Sequence, residues 1–216
     1  FSDQADLSSQ SRMWINLNER TISANVNLAK QLSLGGFEPE IKAGFYFENK
    51  ARSFHARNFG YAKGSQESIF GQTYLPVDQI FTDENINLTT GIKLTEVTAL
   101  SDSYKAGNNQ IAGYISTRAR LLTKINIYAG LRFEKNRQTL SSYKQASSVK
   151  VNVDRDTINI FPSANIAYNF NDKNLFRLAY GMTINRPEFR EIAPFYYVDF
   201  EQNAGIYGAP HIRQAY

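Results

Sequence analysis

Few residues in this chain could do chemistry, and their spacing assembles neither a catalytic site nor a metal site. The 216 residues contain no cysteine and only two histidines, His55 and His211, which lie far apart in the sequence. A zinc site needs three or four convergent ligands, and a nucleophilic serine needs a base beside it. We therefore interpret both histidines as surface residues, and we predict no enzyme, no metal and no cofactor.

Charged residues do not point to a cation or to a nucleic acid. Asp78, Asp83, Glu84 and Asp102 punctuate the middle of the chain, but a calcium loop needs acidic residues at alternate positions. Lys and Arg number 24 against 20 Asp and Glu, and they are scattered singly along the chain. Nucleic-acid binding requires clustered basic residues. We therefore expect a solvated loop and no nucleic-acid partner.

An aromatic cluster near the end of the chain is the best candidate for ligand binding. Its members are Phe195, Tyr196, Tyr197, Phe200 and Tyr207. Exposed rings can stack on sugars and flat chelates, because one side of the residue is apolar and the other can stay wet. The same residues could form an aromatic girdle at a membrane interface or pack within a loop. The sequence leaves these alternatives open and favours the girdle or loop packing.

Alternation of apolar and polar residues is the main structural signal. From residue 125 to 134 the odd positions are apolar and the even positions are polar or small, as expected for a strand with one apolar face. The same pattern recurs, and no stretch has comparable helical spacing. No run of about 18 apolar residues could form a transmembrane helix. The predicted strands lie near 20–30, 39–59, 108–121, 124–138, 156–170 and 174–184.

The connections between these strands alternate in length. Short links near 31–38, 120–123 and 171–174 alternate with long ones at 60–107, 139–155 and 185–212. Outer-membrane up-and-down barrels have short periplasmic turns and long extracellular loops. A soluble sandwich or lipocalin-like barrel remains the alternative, although such long loops are uncommon in compact soluble domains. The fold class predicted is all-β, an antiparallel up-and-down transmembrane β-barrel.

Six strands do not close a membrane barrel. The smallest known barrels have about eight strands, and lipid does not tolerate unpaired strand edges. We therefore expect residues 1–216 to form part of a larger barrel, with outer-membrane lipid as a partner and the outer membrane as its location.

The last third of the chain resembles a known family. Residues 174–195 read NLFRLAYGMTINRPEFREIAPF. This run resembles the barrel region of TonB-dependent receptors of the Bacteroidetes type, in which a strand ending in Arg-Leu-Xaa-Tyr-Xaa-Xaa-Thr runs into Arg-Pro-Xaa-Phe-Arg-Glu-Leu-Ala-Pro-Phe. The matching residues are Arg177, Leu178, Tyr180, Thr183, Arg186, Pro187, Phe189, Arg190, Glu191, Ala193, Pro194 and Phe195. Weaker matches are residues 42–44, 130–134, 161–163 and 208–210, where Ala209 replaces the family's Asn.

The resemblance implies active transport. Such receptors are barrels of about 22 strands that enclose a plug, and they take up siderophore-bound iron, cobalamin or glycans with energy delivered through TonB. The plug domain and TonB box are not seen in this chain. A non-transporting structural or adhesive barrel and a soluble ligand-binding barrel remain the alternative functions.

The charged run at a strand end, Arg186, Pro187, Glu188, Phe189, Arg190 and Glu191, has two interpretations. It could be a rim that contacts substrate, or a network that holds the loop to the barrel wall. We favour the structural role, because a motif shared among receptors with different substrates is a poor selector of substrate.

Overall fold

The computed structural model describes residues 11–64, 75–122, 124–171, 173–199, 201–202 and 204–216. These residues form one large antiparallel sheet, a small hairpin and two single-turn helices. None of the helices in these ranges is long and apolar enough to cross a membrane.

The large sheet contains seven strands. They are β1 (Ser11–Gln31), β2 (Glu40–Lys63), β3 (Ile92–Glu96), β4 (Ser103–Leu121), β5 (Ile125–Tyr143), β6 (Lys150–Asn171) and β7 (Asn174–Gly181). The order is β1-β2-β4-β5-β6-β7, and the short strand β3 pairs with the end of β2 beside β4. All pairs are antiparallel, which confirms the predicted all-β antiparallel sheet.

The remaining elements lie in the connections. Helix α1 spans Val77–Ile80, helix α2 spans Phe189–Ile192, and a 3₁₀ turn spans Leu100–Asp102. Strands β8 (Tyr196–Asp199) and β9 (Ala204–Tyr207) form the separate hairpin. The turn between β1 and β2 contains Gly35 and Gly36 at φ values of 58° and 95°, a left-handed backbone that glycine adopts without steric cost.

Three predicted loops differ in extent from the observed connections. The loop predicted over 139–155 is only residues 144–149, because β5 continues to Tyr143 and β6 begins at Lys150. The loop predicted over 60–107 contains β3 and the first residues of β4. The predicted loop over 185–212 contains α2, β8 and β9. The strands were underestimated because their apolar residues change face partway along, which ends the simple alternation.

The change of face is clearest on β2. Ile41 and Phe45 have odd numbers and share one face, which we call the outer face. Beyond residue 50 the apolar positions are the even ones: Phe54 and Ala56 are buried on the opposite, inner face. We call the end of the sheet that carries 32–39, 122–124 and 172–173 the short-turn end, and the other end the long-loop end.

The buried core of the protein lies on the inner face at the long-loop end. It joins residues of β2, β4 and β5 to residues of α2 and the chain just after it. The core residues are Phe54, Ala56, Tyr104, Ala106, Leu140, Phe189, Ile192, Ala193 and Phe195. Leu140 is 1% exposed and Ile192 is 0% exposed, so the helix covers the sheet here.

Proline ends the pairing between β6 and β7. The Met182 N–H donates to the Pro162 carbonyl at 3.1 Å, but Pro162 has no N–H with which to return a bond. The ladder stops at Gly181, while β6 continues towards the long-loop end. The chain after Gly181 is thereby released from the sheet. We call residues 182–216, apart from 200 and 203, the inner segment, because it folds onto the inner face.

Candidate functional site

A buried carboxylate anchors the inner segment to the sheet. Glu134 lies on the inner face of β5 and is 4% exposed. Its Oε1 lies 2.5 Å from Arg186 Nη2, while Oε2 accepts hydrogen bonds from Arg132 at 2.8 Å and Gln110 at 2.6 Å. A buried carboxylate needs this number of partners because water no longer solvates it. The charged motif therefore begins with an ion pair to the wall.

The next residues of the motif continue along the wall. Gln138, also on β5, donates its side-chain amide to the Pro187 carbonyl at 2.8 Å. The Glu188 N–H donates to the Glu191 carboxylate at 2.8 Å, which caps the single turn of α2. These contacts set the position and direction of the helix.

Two aromatic contacts complete the attachment of the motif. Phe189 is 5% exposed, and the Arg52 guanidinium lies 5.1 Å from its ring centroid. Arg190 stacks over Tyr197 at 3.9 Å. Arg186, Pro187, Phe189 and Arg190 thus contact parts of the chain outside the motif, whereas the side chain of Glu191 caps the backbone of Glu188 within it. The partners Gln138 and Arg52 could not be identified from the sequence, since both are distant in the chain.

The hairpin of β8 and β9 carries three of the five predicted aromatic site residues. Tyr196 pairs with Tyr207 across the hairpin, and Tyr197 stacks on Phe195 at 6.0 Å. Tyr196 and Tyr197 are partly exposed, whereas Tyr207 is 67% exposed. Three tyrosines are therefore available on the hairpin for contact with a ligand.

The other two predicted aromatic residues differ. Phe195 is 4% exposed and meets Phe54 edge to face at 4.8 Å, so its ring packs in the core and cannot stack on a ligand. The interpretation of Phe195 as a binding residue is therefore wrong. Its ring belongs to the core that covers the inner face of the sheet. Phe200 lies outside the described residues.

Amide side chains line the inner face beside the motif. Asn136 donates to Asn108 at 2.9 Å across β4 and β5, and Asn159 on β6 accepts from the Tyr216 hydroxyl at 2.7 Å. Asn185 and Ala215 exchange two backbone hydrogen bonds of 2.8 and 2.9 Å, which closes the inner segment on itself. This polar surface can form hydrogen bonds to a ligand or to water, and it offers no nucleophile.

Asp102 is 5% exposed and accepts a hydrogen bond from the Asn58 amide at 2.8 Å, so the prediction of a solvated loop is wrong for this acid. His55 Nδ1 lies 2.6 Å from Ser103 Oγ on the outer face, a contact the sequence did not indicate because 48 residues separate the two. They are paired residues of neighbouring strands. Within the described ranges, no group of three His, Cys, Asp or Glu side chains could hold a metal ion.

A family comparison agrees with this architecture. The sequence model of the outer membrane protein beta-barrel family matches residues 73–207, more than half of the chain. The chain belongs to this family. A search of curated proteins found no match.

The barrel fold is also found among solved structures. The siderophore receptor PiuA from Acinetobacter baumannii aligns with this barrel chain at a TM-score of 0.55 and 9% identity. The alignment covers 91% of this chain and 26% of the receptor, so the chain spans about a quarter of that protein's length. At this identity the comparison shows a shared fold alone.

Membership of an outer-membrane barrel family explains the exposed apolar residues of the sheet. On the outer face near the short-turn end, Val26 is 59% exposed, Phe45 is 50% exposed and Leu178 is 60% exposed. Such residues would be unfavourable in water but match the hydrocarbon of a bilayer. The opposite face at the same height carries Asn25, Tyr46 and Arg177, which can face a wet lumen.

Proposed function

We propose that this chain is part of the barrel wall of a TonB-dependent receptor, which takes up a bulky nutrient such as siderophore-bound iron, cobalamin or a glycan. One observation carries the proposal: the inner segment folds onto a polar inner face and is anchored there by the ion pair of Arg186 with buried Glu134. A barrel that only spans the membrane needs no such lining. A receptor needs fixed side chains inside its lumen to hold a ligand.

The ligand would enter from the long-loop end. The longest connections lie at that end, which in outer-membrane barrels faces the exterior. Tyr196, Tyr197 and Tyr207 would contact the ligand there, because the hairpin leaves their rings partly or largely exposed. Phe195 and the charged motif would hold the hairpin in place.

Energy for uptake would come through TonB, acting on a plug domain encoded outside residues 1–216. The lipid-facing side chains of the strands and the outer-membrane barrel family favour a receptor. The fold shared with a siderophore receptor is consistent with this role.

An uptake experiment in the native host tests the proposal. The full-length gene would be deleted, and growth would be measured with ferric siderophores, cobalamin or glycans as the limiting nutrient. We expect one nutrient class to fail, and we expect a TonB-deficient strain to show the same defect. Complementation with the wild-type gene should restore growth.

Two further variants sharpen the result. Tyr207→Ser should weaken uptake, whereas Leu122→Ser, at an exposed position of the short-turn end, should not. If the deletion strain grew normally on every nutrient while the protein still showed a heat-modifiable barrel on gels, the structural or adhesive function would replace transport.

A further inference from the structure

We infer that a cavity between β6 and the inner segment is a binding site for an oxyanion, the phosphate or carboxylate group of a small solute. The cavity has a volume of about 330 Å³ and is lined by Arg155, Arg186 and Arg213. Three guanidinium groups from three separate parts of the chain converge here, and this concentration of charge needs a counterpart.

Hydrogen-bond donors at the cavity remain unused. Arg155 Nη2 donates to the Pro210 carbonyl at 2.5 Å, but the buried Nη1 atom has no hydrogen-bond partner in the described residues. The same holds for the buried Nε atom of Arg186. A buried donor without a partner is costly because it has lost its hydrogen bonds to water, so native proteins rarely leave one unsatisfied. Oxyanions accept hydrogen bonds from guanidinium forks better than any other common group.

Nearby carboxylates do not neutralise the cavity. Asp154 and Asp156 line it, but they alternate with Arg155 along β6 and point to the outer face. There Asp154 accepts two hydrogen bonds from Arg137, and Asp156 lies 3.2 Å from the Lys135 ammonium. Both acids are therefore occupied elsewhere.

The remaining acid cannot balance three arginines. Glu134 pairs with Arg186 and also accepts a hydrogen bond from Arg132. Arg155 and Arg213 carry like charges and line the same cavity, and neither forms a salt bridge in the described residues. An anion between these two groups would convert a repulsion into two attractions.

Neutral side chains at the cavity add selectivity. The amides of Asn136 and Gln138 lie on one wall, and each amino group donates one hydrogen bond, to Asn108 and to the Pro187 carbonyl. The second N–H of each could donate to an oxyanion, whereas Gln214 on another wall already donates to Asn159 and Tyr216. The cavity is large enough for a phosphate or a small polycarboxylate. The site therefore selects for solutes that carry such a group, whether or not they are subsequently transported.

Equilibrium binding to the purified full-length protein in detergent tests the inference without requiring transport. Inorganic phosphate and citrate would be titrated by calorimetry at constant ionic strength, because salt screens exposed charges. We expect saturable binding of at least one probe. Arg213→Gln should weaken this binding about tenfold or more, and it should leave the fold intact because the side chain is exposed.

The matched control is Arg177→Gln, which removes an exposed inner-face arginine on β7 that does not line the cavity. Binding by this variant should equal that of the wild type. Equal binding by wild type and Arg213→Gln would overturn the inference, as would the absence of binding by both probes. Failure of the uptake experiment would leave this measurement unaffected.

Discussion

The short-turn end and the long-loop end of the sheet carry their apolar side chains on opposite faces. On β5, Ile127 and Leu131 turn to the outer face near the short turns, whereas Leu140 turns to the inner face near the long loops. On β1, Val26 likewise points outward and Leu17 inward, although Leu17 is 50% exposed and lies outside the buried core. The difference shows that the cover for the apolar face changes: lipid covers one end and the protein's own inner segment covers the other.

Loss of the buried Glu134 carboxylate should have the largest effect on the attachment of the inner segment to the sheet. Glu134→Leu removes the partner of Arg186 and Arg132 and leaves their charges unpaired at the inner face. Breaking a buried ion pair costs about 3–5 kcal/mol. We expect limited proteolysis to cut the inner segment while the strands resist. Glu96→Leu, which removes an exposed ion pair with Arg57, is the control and should leave the segment protected. Equal protection of both variants would mean that the core alone holds the segment.

The second largest effect should come from a charge placed on the outer face, which should lower stability at the short-turn end and not at the long-loop end. Ile127→Arg places a charge among lipid-facing residues and should destabilise the barrel by about 2–4 kcal/mol if the residue lies near the membrane midplane. Ser141→Arg, on the same strand and face but at the long-loop end, should have little effect because Ser141 is exposed beyond the apolar band. Urea unfolding in lipid vesicles measures both. A similar cost at both positions would contradict the assignment of the band.

Removing one methylene group should cost more stability where protein packs around the side chain than where lipid does. Ile192→Val removes one methylene from a side chain that is 0% exposed, and the cavity left behind should cost about 0.5–1.5 kcal/mol. Ile115→Val makes the same change on the outer face, where fluid lipid fills the space, so its cost should be lower. Unfolding midpoints of the two variants provide the test. A larger cost at Ile115 would show that the outer face packs against protein.

Acid should produce the smallest effect, confined to the long-loop end. Two hydrogen bonds from Arg57 lower the pKa of the exposed Glu96 carboxyl to about 2, below its ordinary value. The folded state therefore binds fewer protons than the unfolded state, and the stability from this pair is present above about pH 4.5 and is lost as the pH falls towards 2. Hydrogen exchange of β3 amides should increase over that range. In Glu96→Gln this dependence should disappear, whereas its persistence would implicate another group.

The local sequence pattern was sufficient to predict the strands of the sheet, but not the contacts of the inner segment that packs on it. Alternation at Ile125, Ile127 and Leu131 predicted a strand with a lipid-facing side, and the family comparison confirms an outer-membrane barrel. Phe195 was interpreted as a possible ligand contact because its sequence neighbours are aromatic, but its burial depends on Phe54, which is 141 positions earlier. Contacts of this kind depend on the whole sheet being in place, so no local pattern predicts them.

Uninterrupted pairing has a further consequence for how the wall assembles. β1 and β2 pair from Ser11 with Gly60 to Gln31 with Glu40 without a bulge. A slip of one residue between strands would move every side chain to the other face. Polar residues would then enter the lipid at one end, and the inner segment would lose its core at the other. A misaligned insertion intermediate therefore loses stability at both ends of the strands. Long strands that span both ends thus favour the correct register during folding.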